Sequence, residues 1–392
     1  MTGAAVAGGA ATPRAARFHA LDLVRFAVAL AVVVFHYGFR GYAADGLSAV
    51  RFDTLGAFAR YGYLGVNAFF VVSGYVIAQS AEGRTAGAFA WARARRLVPA
   101  LWVCCLLTAA GAWVSGQPAF AVTVPELLGN LSMARIAVGS VAAGLVDGAY
   151  WSLQVELRFY AMVALLLWWR PRAIARTLPA ATALWMALAA ADYLRPIPYR
   201  HGALWLQYAP LFAAGVSYAA VARGRAGWRD WAALAVAVPL SVAYALRDAA
   251  AQSAHYHAEF APAVVAGVLC LTHLGFGLAT VRGWDVRPSR LWPALGAVTY
   301  PLYLVHQHLG YMVLNATRGR VAPAVVFVPL VVGMVGVAFA VARAAEPRVL
   351  AGLDSAAAWC AGAFAARPHA RRASPRRSAG AAPVPLADSL AG

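Results

Sequence analysis

LDLVRFAVALAVVVFHYG at residues 21–38 is an apolar run interrupted by Asp22, Arg25 and His36. Its length matches the roughly 20 residues that an α-helix needs to cross a hydrocarbon layer of about 30 Å. Similar runs recur along nearly the whole chain of 392 residues, of which 62% are hydrophobic and 12% are charged. Soluble proteins carry about 25% charged residues. The sequence therefore predicts an all-α, polytopic integral membrane helical bundle.

Ten such runs are predicted to span the membrane. They lie at 20–38, 61–79, 97–115, 150–169, 177–193, 203–221, 231–247, 259–281, 291–313 and 322–342. The first run has the full length of a span and contains internal charges, so we expect a retained helix rather than a cleaved signal peptide.

The arginines predict the orientation of these spans. All 33 basic residues are arginine, against 15 acidic residues. Twenty-two arginines lie in the two termini and in the loops after even-numbered spans, whereas nine lie in the opposite loops. Cytoplasmic loops of membrane proteins are enriched in basic residues. We therefore expect both termini to be cytoplasmic, and the net charge of +18 needs no nucleic-acid partner.

Three segments are predicted along the chain. Residues 1–17 form a cytoplasmic N-terminal segment, 18–345 the transmembrane domain and 346–392 a cytoplasmic tail. After about residue 365 the tail is rich in Pro, Ala and Arg without apolar periodicity, which predicts disorder. No external disulfide is expected, because the four cysteines lie in apolar or inward-facing stretches. They are Cys104, Cys105, Cys270 and Cys360.

Ionisable residues inside a predicted span are candidate functional residues, because burying them in a bilayer is costly. Asp22 and Arg25 are three residues apart and can pair on one helix face. His36 follows Arg25 by eleven residues. Helix geometry then separates the two by roughly 16 Å along the axis but only about 20° around it. Both are predicted to line one groove at different depths, although a histidine merely hydrogen-bonded inside the bundle is an alternative.

A second candidate is the basic stretch WARARRLVP at 91–99. Arg93 and Arg96 share a helix face, and paired guanidinium groups suit phosphate oxygens. The alternative is a topogenic patch that contacts lipid headgroups.

The third candidate is YWSLQVELRFY at 150–160. Glu156 lies about one and a half turns inside the predicted span, with Ser152 on nearly the same face. A carboxylate at this depth must be paired, hydrated or protonated. Trp151 is either a site residue or part of an interfacial aromatic belt.

The fourth candidate is TYPLYLVHQHLGY at 299–311, where Tyr303 and His306 share a face. His306 and His308 are two residues apart, so they point about 200° apart on a helix and cannot chelate one ion together. The sequence predicts no metal site.

Taken together, five motifs resemble those of the acyltransferase-3 family of polytopic membrane O-acyltransferases. They are the first-span pattern with Arg25 and His36, GYLGVNAFFVVSGYVI at 62–77, Arg93-x-x-Arg96, WSLQVELRFY at 151–160 and YPLYLVH at 300–306. They occur in order and cover about residues 17 to 310. Asn67 departs from the pattern, because many members carry an acidic residue at that position.

The resemblance implies a substrate pair and a location. Members of the family take an acyl group, commonly acetyl, from cytoplasmic acyl-CoA and transfer it to an acceptor on the outer side, often a polysaccharide. We therefore expect acyl-CoA as donor substrate, no metal, a carbohydrate or lipid-linked glycan as acceptor, and a bacterial plasma membrane.

The resemblance also assigns roles to residues. His36 and Glu156 are implied as catalytic, and Arg25, Arg93 and Arg96 as acyl-CoA-binding. Second-choice substrate-binding residues are Trp151, Ser152, Tyr303 and His306.

Two mechanisms are open at this point. His36 either deprotonates the acceptor hydroxyl directly, with Glu156 orienting or stabilising the imidazole, or itself carries the acyl group. Ser73 lies beside Gly74, which favours close helix packing over a nucleophilic role.

Two other functions also fit the buried charges. A proton-coupled transporter or flippase would keep a buried His, Glu and Arg as well, but it would release an unmodified solute. An inactive, scaffolding relative is a third possibility.

Overall fold

The computed structural model of the chain describes residues 19–43, 46–138, 144–196 and 204–365. The predicted N-terminal segment 1–17 and the predicted disorder after about residue 365 lie outside these ranges. Within them every regular element is helical and no strand occurs, so the all-α prediction is confirmed. The chain divides into two compact units, Met1–Leu350 and Ala351–Gly392.

The main helices are numbered in chain order. They are α1 (His19–Phe35), α2 (Asp53–Ala59), α3 (Gly65–Ala81), α4 (Ala86–Ser115), α5 (Val124–Leu131), α6 (Ala134–Val138), α7 (Trp151–Trp169), α8 (Ile174–Leu194), α9 (Ala209–Ala222), α10 (Trp228–Tyr256), α11 (Pro262–Arg282), α12 (Leu291–Thr317), α13 (Pro323–Ala340) and α14 (Glu346–Ala365). α1 continues into a π-helical turn, His36–Arg40, and a last α-helical turn, Gly41–Ala43.

Each of the ten predicted spans coincides with a helix. In the described part of the chain, seven helical stretches are long and apolar enough to cross a membrane, and these are His19–Ala43, Asp53–Ala81, Ala86–Ser115, Pro171–Leu194, Trp228–Tyr256, Pro262–Arg282 and Pro323–Trp359. The protein is therefore a multi-pass integral membrane protein. The other three predicted spans fall on α9, which is shorter, and on α7 and α12, which polar residues interrupt. A total of ten spans stays a prediction.

The loops assemble at two opposite ends of the bundle, in the grouping that the arginines predict. At one end Asp285, after α11, accepts hydrogen bonds from the backbone N–H groups of His19 and Ala20. At the other end Asn315 receives a hydrogen bond from Ala49 N and donates one to Gln117. Which end faces the cytoplasm stays a prediction from charge.

α1 and α12 pack closely because small residues on α12 admit side chains of α1. Tyr37 lies directly over Gly310, where a Cβ atom would collide with its ring. The Tyr37 hydroxyl donates a hydrogen bond of 2.7 Å to the His306 carbonyl oxygen. Near the opposite end, Gly296 of α12 makes room for Asp22 in the same way.

α3 and α9 approach each other backbone to backbone. A Cβ atom on Gly74 would collide with the carbonyl oxygen of Phe212, and one on Gly215 with that of Val71. Small residues permit such approaches in membrane helix pairs. The packing role predicted for Gly74 is therefore what the structure shows.

The predicted tail begins with a helix. Helix α13 continues through a π-helical turn, Val341–Ala345, into α14. The start of the predicted tail is thus helical, which its high alanine content favours. Cys104, Cys105 and Cys270 are free thiols.

Replacing Gly215 with Ala should lower the thermal unfolding midpoint of the detergent-solubilised protein. The new methyl group must displace the backbone of α3, and overpacking of this kind costs about 1–3 kcal/mol. Gly267→Ala in α11 is the matched control, because a Cβ there meets nothing within 4 Å and alanine favours the helix. An equal response of the two variants would contradict the close approach.

Candidate active site

A polar cavity of about 280 Å³ lies between α1, α3, α4, α7 and α12. Its charged lining residues are Arg25, Arg93, Arg96 and Glu156. Ser73, Ser152, Tyr160, Thr299, Tyr300 and Tyr303 add hydroxyl groups. Six of the nine residues predicted for the site therefore line one cavity, namely Arg25, Arg93, Arg96, Ser152, Glu156 and Tyr303.

The two arginines of α4 enter the cavity from one helix face. Thr85 caps α4, its hydroxyl accepting a hydrogen bond from Ala88 N, so the basic stretch is helical from the start. Arg93 lies over the Tyr160 ring at 5.9 Å, and Arg96 lies over the Tyr300 ring at 5.3 Å. Stacking on aromatic faces holds a guanidinium group while leaving its N–H edge available.

The edges of these guanidinium groups are incompletely bonded. Arg93 Nε is buried without a hydrogen-bond partner. The Arg96 guanidinium lies 3.8 Å from Glu346 at the start of α14, which is a long ion pair. A buried donor without a partner calls for an explanation, and an anionic ligand supplies one.

Glu156 is held by two hydroxyl donors. Ser73 Oγ donates to Glu156 Oε1 at 2.9 Å, and the Tyr160 hydroxyl donates to the same oxygen. Arg25, across the cavity, is attracted by Asp22 and Glu156. The carboxylate is therefore hydrogen-bonded, as a buried polar group requires.

His36 has a different partner from the one predicted. Its Nδ1 lies 3.1 Å from Nε2 of His306 and 2.8 Å from the Val32 carbonyl oxygen. His306, not Glu156, thus orients the imidazole. The prediction failed because two residues far apart in sequence meet only when α1 packs on α12.

The groove that Arg25 and His36 were predicted to share also needs correction. Arg25 lines the cavity, whereas His36 is enclosed behind it and is only 5% exposed. The cavity lining ends at Tyr303, whose ring centroid is 5.8 Å from that of His306. The side chain of Tyr303 therefore separates the cavity from the histidine pair, and helix periodicity within α1 does not reveal a side chain contributed by α12.

The acceptors around the two histidines assign their protons. His306 Nδ1 faces the carbonyl oxygens of Leu302 and Tyr303 at 3.1 and 2.9 Å, so it carries a hydrogen. Nε2 of the neutral ring is then an acceptor, and it receives the hydrogen of His36 Nδ1, which is shared with Val32. His36 Nε2 is left with a lone pair, and it is buried without a hydrogen-bond partner. An unprotonated imidazole nitrogen of this kind has the chemistry that a general base needs.

Asp147 is a site residue that the sequence reasoning missed. It is fully buried, and its two oxygens accept hydrogen bonds from Ala149 N and His308 N, both at 2.9 Å. Its negative charge acts on His306 through space. It therefore joins the loop before α7 to α12 at His308, two residues after His306. Only its Asp-Gly turn marks it in the sequence, and a turn gives no sign of burial.

Ser152 and Tyr303 connect the cavity to the loop before α7. The two hydroxyl oxygens are 2.7 Å apart, and Tyr303 also donates to the Ala149 carbonyl oxygen at 3.2 Å. Trp151, in contrast, is not part of the cavity lining. Its ring packs on those of Trp205 and Tyr208 at 5.7 and 5.8 Å.

A family model described as "Acyltransferase domain" matches residues 18–343, which is most of the chain. The chain belongs to the acyltransferase-3 family. It thus contains an acyltransferase domain, and the resemblance of the five motifs is confirmed at the level of the family.

A partial relative comes from Rhizobium meliloti (strain 1021), the "Exopolysaccharide production protein ExoZ". It is 33% identical to this acyltransferase over 108 residues, which are 26% of the chain and 33% of the relative. The match thus spans about a third of the relative's length. No solved structure matches the chain.

Replacing Asp147 with Asn should destabilise the acyltransferase. The side-chain NH₂ group would then face one of two backbone N–H donors, and an unmet hydrogen bond at a buried charged group costs about 1.5–3 kcal/mol. The measurement is the unfolding midpoint in detergent. Asp53→Asn is the control, because Asp53 pairs with Arg51 at the surface and such pairs contribute about 0–1 kcal/mol. Matching midpoints for both variants would remove Asp147 from the supporting role.

Proposed function

We propose that this acyltransferase moves an acyl group, in particular acetyl, from cytoplasmic acyl-CoA to a hydroxyl group of an extracytoplasmic carbohydrate. The observation that carries the proposal is the unpaired lone pair on His36 Nε2, in a bundle that also presents three arginines to one cavity. The printed name of the ExoZ relative supports a polysaccharide acceptor. We place the protein in the bacterial plasma membrane.

In this proposal Arg93 and Arg96 bind the phosphate groups of acyl-CoA. Their guanidinium groups are held on tyrosine rings at the start of α4, the end that the arginine distribution assigns to the cytoplasm. Arginine suits phosphate because its planar fork matches the oxygens. The narrower pantetheine arm then enters the cavity past Arg25, which Glu156 positions by charge.

The thioester must travel beyond the cavity to meet His36. Arg25 and His36 are separated by roughly 16 Å along the helix axis, a distance that an extended pantetheine arm helps to cover. Tyr303 lies between the cavity and His306. Its side chain must therefore change rotamer for the thioester to reach His36.

The chemical step transfers one proton and exchanges one bond. His36 Nε2 takes the proton of the acceptor hydroxyl as its oxygen attacks the thioester carbonyl carbon. The C–S bond then breaks, and the CoA sulfur leaves with the proton held by His36. Between these two events the imidazole is positively charged. Its Nδ1–H is hydrogen-bonded to the Val32 carbonyl oxygen and to His306 Nε2, and the negative charge of Asp147 also favours the charged form. The products are an ester and CoA.

The same nitrogen supports a two-step version, in which His36 Nε2 attacks the thioester and holds the acyl group until the acceptor arrives. The two versions differ in a single observable. Labelled acyl-CoA given without acceptor labels the protein at His36 only in the two-step version. A transporter would instead move its solute unmodified and leave acyl-CoA intact.

His36→Ala should lower acyl transfer from labelled acetyl-CoA to the surface glycan by at least about 100-fold, because positioned base catalysis contributes roughly 10²–10⁴-fold. CoA binding should persist, since His36 is not part of the cavity lining. The measurement is radiolabel on the glycan, with CoA affinity measured separately. His255→Ala, at an exposed end of α10, is the control. Wild-type transfer by the His36 variant would dismiss the proposed base.

Arg93→Gln and Arg96→Gln should each weaken CoA binding roughly ten- to hundredfold, the range that follows from about 1.5–3 kcal/mol for a charged hydrogen bond. Arg95→Gln is the matched control. It removes the same charge from the same turn, but Arg95 is exposed and is not among the residues that line the cavity. Equal losses in all three variants would indicate a general basic surface instead of a phosphate site.

A further inference from the structure

We infer that the rings of Trp151, Trp205 and Tyr208 form a subsite for one pyranose ring of the acceptor, with Trp205 Nε1–H donating to a sugar hydroxyl. We call these three side chains the aromatic cluster. The inference rests on the proposed function, and it names a binding site that the transfer chemistry itself does not require.

The geometry of the aromatic cluster is that of a continuous wall. The Trp151 and Trp205 ring centroids are 5.7 Å apart, and those of Trp205 and Tyr208 are 6.0 Å apart. The planes differ by 32° and 27°, so the three faces are nearly parallel. Trp151 and Tyr208 are partly exposed, whereas Trp205 is buried between its neighbours.

The aromatic cluster lies at the end of the bundle opposite to the arginine pair. Trp151 begins α7, and Tyr160 of the same helix contacts Arg93. The nine residue steps from Trp151 to Tyr160 correspond to about 13 Å of helix rise. A ligand on the aromatic cluster would therefore enter from the side that the charge distribution predicts to be extracytoplasmic.

The aromatic cluster is also adjacent to the reacting groups. Trp151 precedes Ser152, whose hydroxyl contacts that of Tyr303 at 2.7 Å. Tyr303 in turn contacts the ring of His306, the partner of His36. A sugar bound on the aromatic cluster would thus lie beside Ser152, on the helix whose start contacts Tyr303.

A polar atom of the aromatic cluster lacks a partner. Trp205 is only 5% exposed, and within the described part of the chain its Nε1 atom has no hydrogen-bond partner. Gln207 Oε1, two residues later, is buried and unsatisfied as well. Buried indole N–H groups normally find an acceptor, so the Trp205 N–H is available to a polar ligand.

The backbone of Trp205 has a strained conformation that helps to position the rings of the aromatic cluster. Its φ and ψ are both 46°, the left-handed region that a bulky residue rarely adopts. The following turn, Leu206–Tyr208, is a 3-10 helix, in which residues three apart stand nearly in line. This conformation brings the rings of Trp205 and Tyr208 together. Strain of this kind concentrates at ligand sites.

A carbohydrate fits these features better than a lipid chain does. One face of a pyranose is lined by C–H groups that pack on an aromatic ring, and its edge carries hydroxyl groups that accept from N–H and donate to a carbonyl oxygen. A lipid chain would leave Trp205 Nε1 and Gln207 Oε1 unpaired. An apolar wall with a few placed polar groups is the usual composition of a small-ligand site.

The test uses the full-length protein in lipid nanodiscs, radiolabelled acetyl-CoA, and the surface glycan fraction extracted from cells that lack the gene. Trp205→Phe keeps an aromatic ring but removes the N–H donor. We expect it to raise KM for the glycan about three- to tenfold, as loss of one hydrogen bond implies, with the CoA affinity unchanged. Trp284→Phe, at an exposed position between α11 and α12, is the control and should behave as wild type.

Tyr208→Leu is the second variant, and it tests the proposed sugar subsite if Trp205→Phe fails to fold. Loss of this ring face should also raise the glycan KM without changing CoA affinity. A glycan KM within twofold of wild type in the folded variants would overturn the subsite while leaving the proposed function intact. If the wild-type protein binds CoA yet labels no glycan, the proposed function fails and the subsite fails with it.

Discussion

The centre of this bundle depends on one constraint, the cost of keeping charge inside a membrane. Arg25 and Glu156 line one cavity, and the negative charges of Asp22 and Glu156 favour the charged form of the arginine. Ser73 and Tyr160 then hydrogen-bond the carboxylate, which fixes α3 against α7. These polar side chains thus line the cavity, and the apolar residues of the same helices enclose it.

The proposed base is stabilised by hydrogen bonds rather than by charge pairing. His36 and His306 are neutral rings whose Nδ1 atoms both face backbone carbonyl oxygens, so their proton positions follow from the fold. The positive charges proposed to bind the anionic acyl donor are those of Arg93 and Arg96, which line the cavity away from the histidine pair. This separation suits a reaction whose two substrates are proposed to arrive from opposite sides.

The segment that leads into α7 contacts both the cavity lining and the residues around the histidine pair. Asp147 holds the backbone of His308 and of Ala149, and the Ala149 carbonyl oxygen accepts from Tyr303. Tyr303 lines the cavity and also contacts His306. A change in this segment would therefore reach the cavity and the histidine pair together, so the loop is as much part of the site as the helices are.

The sequence by itself determined the membrane class, the positions of the helices and the cavity face of α4 and α7. These are local properties, because hydropathy and helical periodicity depend only on neighbours in the chain, and they brought Arg93, Arg96 and Glu156 into one cavity. Only the tertiary structure decided that His36 pairs with His306 and that Asp147 supports them. Such contacts join residues more than 100 positions apart, and which of them form depends on how whole helices pack.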